Sequence, residues 1–101
     1  MSTTAEQLIS LFGRIPRRHT AENVKELNTI LNEYEDILIS IEAEPAYEKA
    51  VAVFFDDLGP IRETIKSSSL NKYSKQAKDK LFDEGSGALK TSMEALMQLL
   101  S

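Results

Sequence analysis

The sequence predicts an all-α domain, packed as an antiparallel up-down bundle of four to five helices. Three observations carry this. The stretch from Thr20 to Ala43 is long, periodic and free of Gly and Pro. The whole chain has just four Gly and three Pro, several of them standing where one periodic segment gives way to the next. The links at Pro16–His19, Glu44-Pro45 and Gly59-Pro60 are short, which favours antiparallel neighbours.

The first helix is expected to start at a capping box of Thr3 with Glu6. It carries Leu8, Ile9, Leu11 and Phe12, with Ile15 at its edge, and Gly13 and Pro16 end it. Thr20 caps the central helix. There Val24, Leu27, Ile30, Leu31, Tyr34, Ile37, Leu38 and Ile41 cover an arc of roughly 140° at about 100° per residue. Such an arc calls for neighbours on more than one flank. Ile39 sits about 60° outside it. Ile37, Ile39 and Ile41 alternate as a strand would, but the longer helical period around them decides for helix.

Glu44-Pro45 stops the central helix, because the residue before Pro is pushed away from helical angles. Pro45 suits the first position of a third helix running to about Leu58. Its buried face is Tyr47, Ala50, Val51, Phe54, Phe55 and Leu58, and Gly59-Pro60 ends it. A short piece on Ile61 and Ile65 follows, then a loop or cap at Ser67–Ser69. Helix resumes from Leu70 on Tyr73, Ala77, Leu81 and Phe82. Gly85 and Gly87 together cost roughly 2 kcal/mol of helix propensity against Ala. A break is expected there, with Ser86 capping a last helix on Leu89, Met93, Leu96, Met97 and Leu100. One long helix through the glycines is the alternative.

The chain of 101 residues is expected to form a single domain over 1–101. It is 42% hydrophobic and 28% charged, a globular balance. It has no Cys and one His, which argues against thiolate chemistry, zinc and haem. No cofactor or metal is expected. The first residues lack a basic and an apolar segment, and no apolar run approaches ~18 residues, so neither a secretory leader nor a membrane partner is expected. A cytoplasmic setting is the default.

The net charge of −4 is uneven. Residues 1–58 carry five Lys/Arg and eleven Asp/Glu, whereas residues 59–101 carry seven and five. An acidic chain is a poor general binder of nucleic acid. His19 lies just before a helix N-terminus, whose dipole disfavours an imidazolium, and reads as a solvated loop residue. Arg14, Arg17 and Arg18 form a small basic cluster that could hold an anion beside helix amides, or pair with acidic helix faces. Lys66, Lys72, Lys75, Lys78 and Lys80 make a second basic stretch, read as a solvated face with one interleaved aromatic, Tyr73. Gly85-Ser86-Gly87-Ala88-Leu89-Lys90-Thr91 superficially resembles a phosphate loop, but Leu89 stands where that loop needs Gly. The carboxylates, Glu33 and Asp36 among them, lack the Glu-x-x-His pairs of a di-metal bundle and read as solvated.

The expected function is non-enzymatic: a protein–protein interaction domain, an adaptor, regulator or assembly subunit, or a homo-oligomer. Its candidate partner-binding residues are Ile39, Glu33, Asp36, Phe54, Phe55, Met93 and Met97. Arg14, Arg17 and Arg18 are candidates for binding an anion. An alternative is an immunity- or antitoxin-like neutraliser that masks a basic partner with an acidic helix face. A third reading is an anion- or nucleic-acid-binding module using Arg14, Arg17, Arg18 and the lysines at 66–80.

Overall fold

The described residues form four helices: α1 Ser2–Gly13, α2 Ala21–Glu42, α3 Ala52–Ser67 and α4 Lys75–Leu100. The computed structural model describes residues 2–101, with side chains from Thr4 onward, and these residues contain no strand. α1 packs on α2, α2 on α3, α3 on α4 and α4 on α1. Each helix thus packs mainly on two neighbours, and the four enclose one core in a body of 45 × 22 × 18 Å.

α2 is the best-anticipated element. Its eight arc residues are its buried residues, from Val24 to Ile41. The Thr20 hydroxyl accepts a hydrogen bond from the Asn23 amide at 3.0 Å, as an N-cap does. α1 starts at Ser2, so Thr3 lies inside the helix and not at its cap; the Thr3 side chain is outside the described residues. Leu8, Leu11 and Ile15 are buried, whereas Ile9 is 60% exposed.

α3 departs from expectation at both ends. Residues 44–51 form a run of turns, and regular helix begins at Ala52. In that run Tyr47 is half-buried and Val51 buried, but Ala46, Glu48, Lys49 and Ala50 are exposed. No continuous apolar stripe exists there to hold a helix against the core. At the other end the helix runs straight through Gly59-Pro60. Phe54, Leu58, Ile61 and Ile65 fall at i, i+4, i+7 and i+11 and are all buried. Burying such side chains gains about 1.5–3 kcal/mol each, which outweighs the roughly 3 kcal/mol cost of an internal proline. Pro60 and Asp56, whose carbonyl loses its amide partner, both lie on the exposed side.

α4 likewise begins later than expected. Ser74 caps it, its hydroxyl accepting from the Ala77 amide at 3.1 Å, and Leu70 and Tyr73 lie in the preceding turns. The break expected at Glu84–Gly87 is absent: α4 is one helix of 26 residues. Gly85 is buried against α3, where a Cβ would meet Ile65 Cγ1 at 2.6 Å. This glycine admits a neighbouring helix; it does not end its own. Ser86 is buried, and its hydroxyl donates to the Asp83 carbonyl at 3.2 Å.

Candidate functional site

α2 lies between α1 and α3, and its outer face meets each along a different flank. On the α1 flank, Arg14 follows directly after α1 and reaches two carboxylates spaced two turns apart. Its Nη2 donates to Glu26 Oε1 at 2.9 Å and its Nη1 to Glu33 Oε1 at 3.1 Å. Nη2 also lies 2.9 Å from Glu33 Oε2. Hydrogen bonds to Glu33 first, and to Glu26 next, hold the guanidinium still more firmly protonated than usual. All three side chains are roughly two-fifths exposed, so the cluster orders the surface more than it stabilises the fold. Beyond it runs an open groove of about 540 Å³ lined by α1 residues including Gln7, Ser10 and Leu11, and by Glu33, Asp36, Ile37 and Ser40 of α2.

On the α3 flank, Arg62 Nη1 donates to Asn32 Oδ1 at 3.0 Å, and Nη2 reaches Glu35 Oε1 at 3.5 Å. Asn32, Glu35 and Ile39 occupy i, i+3 and i+7 of α2, a single stripe. Phe55, Gly59 and Arg62 occupy i, i+4 and i+7 of α3, the stripe that faces it. Ile39 is 52% exposed, Phe55 is half-buried, and a Cβ on Gly59 would meet nothing within 4 Å. The outer seam of α2 and α3 thus carries an ion pair at one point and uncovered apolar surface a turn or two away.

A third feature lies between α3 and α4. The Tyr34 hydroxyl is 2.7 Å from Ser92 Oγ, and Ser92 donates to Asp57 Oδ2 at 3.0 Å. The buried phenol donates to Ser92, which passes the chain of bonds on to the half-buried carboxylate. Burial pushes the Tyr34 pKa up to about 12. Asp57 and Ser92 open onto a groove of about 380 Å³ lined by Pro60, Ile61, Ala88, Thr91 and Ala95. No sequence pattern marks this trio; its ends are 58 residues apart along the chain.

The remaining candidates divide between core and surface. Phe54 and Met93 are buried in the core, where a partner cannot reach them in the folded chain; Met97 is half-buried against it. Glu33 and Asp36 share the α1–α2 groove, with Glu33 tied to Arg14. Arg17 and Arg18 are exposed, and the Arg18 carbonyl accepts from Asn23 Nδ2 at 2.8 Å. His19 is not the solvated loop residue expected. Its Nδ1 lies 2.7 Å from Asp79 Oδ1, and its ring stacks on Phe82 with centroids 5.2 Å apart. A contact between residues 60 apart leaves no local signal. Among the described residues, no three or more His, Cys, Asp or Glu side chains are grouped so as to hold a metal ion. No helix among the described residues is long and apolar enough to cross a membrane. Comparison with protein-family models, with curated proteins and with solved structures finds no match to this chain.

Proposed function

We propose that this chain is a non-enzymatic protein-interaction domain, working without a cofactor in the cytoplasm, whose docking surface is the outer face of α2 and its seam with α3. The observation that carries the reading is the exposure of Ile39 on the α2 stripe that Arg62 ties, through Asn32 and Glu35, to the α3 stripe of half-buried Phe55 and open Gly59. An apolar residue held on rigid helices with ordered polar neighbours is the kind of anchor that protein interfaces use. An antiparallel up-down arrangement fits the same contacts. Arg62 meets residues 32 and 35 although just nine residues separate α2 from α3. Asp57 meets Ser92 while Ile65 abuts Gly85.

The alternative, a neutraliser presenting an acidic face, draws less support. Glu26 and Glu33 already bind Arg14, and Glu35 binds Arg62. Asp36 is the remaining carboxylate near the centre of that face. Charge complementarity to a basic partner requires carboxylates that are not already engaged.

A photo-crosslinking residue at position 39, and separately at 55, tests the reading in the native host. Both are expected to give the same discrete adduct, and position 25 on the same helix is expected to give none. Identical background from all three positions would contradict it.

A further inference from the structure

Two basic segments far apart in the sequence meet at one end of the molecule. The His19 contacts to Asp79 and Phe82 draw the Arg17–Arg18 link onto the first turns of α4. Lys66 lies in the last turn of α3, and Lys72, Lys75, Lys78 and Lys80 follow in the turns and the start of α4. Glu22 and Asp79 are the carboxylates in these segments, with Glu63 and Asp83 a turn beyond Lys66 and Lys80, and Asp79 is engaged by His19. Among the described residues, these seven cations make no ion pair, whereas Arg14 and Arg62 do. Glu42 and Glu44 lie at or just past the other end of α2, about 30 Å away at 1.5 Å per residue, several times the roughly 8 Å screening length.

Apolar surface stands in the middle of this charge. Leu70 is 36% exposed in the connection between α3 and α4. Turns closed by Leu70 N donating to the Ser67 carbonyl at 3.1 Å, and by Tyr73 N donating to the Leu70 carbonyl at 3.2 Å, hold it in place. Tyr73 is half-buried beside it, with Lys72 Nζ 5.2 Å above its ring. We propose that this end of the molecule attaches to the surface of an anionic bilayer, its cations meeting the lipid headgroups and Leu70 entering the boundary with the acyl chains. The sequence expectation of no membrane partner rested on the lack of a leader and of a spanning segment; surface attachment through charge needs neither.

Phosphates of lipid and of nucleic acid attract the same lysines. What favours lipid is the apolar tip, which a sugar–phosphate backbone cannot use, and the single partly covered aromatic, too little for a base-stacking platform. Each cation held near an anionic leaflet strengthens attachment about fivefold. The proposal does not depend on the α2–α3 seam.

The test is co-sedimentation of the full chain with phosphatidylcholine vesicles, with and without about a third phosphatidylserine, together with titration of a labelled DNA duplex. Attachment is expected for the anionic vesicles alone, and is lost at ~1 M salt, where screening shortens to about 3 Å. Lys72→Gln/Lys75→Gln is expected to weaken it about 25-fold, and Arg17→Gln/Arg18→Gln by about as much, since each pair removes two cations. Leu70→Ser is expected to weaken vesicle attachment about fivefold with the charge unchanged. Far-ultraviolet circular dichroism checks that each variant is folded. No sedimentation with anionic vesicles, equal sedimentation with neutral ones, or an Arg17/Arg18 variant that binds as wild type would overturn the proposal. Duplex binding that is indifferent to Leu70→Ser, without vesicle binding, would assign the patch to nucleic acid instead.

Discussion

Gly85 and Ile65 stand so close that a Cβ on the glycine would lie 2.6 Å from Ile65 Cγ1 and 3.5 Å from Thr64 Cγ2. Ile is branched at Cβ, so Cγ1 moves only with a change of χ1 rotamer or of backbone. Gly87, two residues on, has nothing within 4 Å of the same position. Two glycines in one helix therefore respond oppositely. Gly85→Ala should lose about 1–3 kcal/mol despite the better propensity of alanine, because the contact is overpacked. Gly87→Ala should gain up to about 1 kcal/mol. Chemical denaturation of both variants checks the pair of signs.

The Tyr34–Ser92–Asp57 chain should be costliest to cut in the middle. Ser92→Ala strands a buried phenol hydroxyl and should cost about 1–3 kcal/mol. Tyr34→Phe leaves Ser92 bonded to Asp57 and should cost about 1 kcal/mol or less. The double variant should fall short of the sum, since the two side chains share one hydrogen bond.

The same tyrosine gives the fold an alkaline limit. Its folded pKa is about 12, against the ordinary value of 10.0. Below pH 10 the phenol is neutral in both folded and unfolded chains, and nothing is lost. Between pH 10 and 12 the unfolded chain ionises first, so stability falls as pH rises, by roughly 2–3 kcal/mol in full. Tyr34→Phe should lack this part of the alkaline decline, as denaturation midpoints across that range would show.

His19→Ala should cost about 1–2 kcal/mol, the sum of a hydrogen bond to Asp79 and a ring contact with Phe82. Amide exchange should accelerate most in the link from Arg14 to Thr20, which His19 fastens to α4. Unchanged exchange there would mean that the link is held by something else.

How much could be read in advance follows the range of the interactions. α2 was legible because its period runs for six turns without interruption, and its Thr20 cap is a local bond. Ile39 outside the core arc was legible from the same wheel. Pro60 and Gly85 misled because propensity is a property of one residue, whereas what overrides it is the burial of Ile61 and Ile65 and the approach of α3 to α4. His19–Asp79 and Tyr34–Ser92 join residues 60 and 58 positions apart, beyond the reach of any periodicity. The same long-range closure gathers the cations of residues 17–18 and 66–80.

Ile39→Asp tests the central claim most directly, measured for thermal stability and for recovery of the adduct formed from the crosslinking residue at position 55. Ile39 is exposed, so the melting midpoint should stay near that of the wild type, a change within about 0.5 kcal/mol, while the adduct disappears. An undiminished adduct in a folded Ile39→Asp chain would contradict the assignment of this face of α2 as the docking surface.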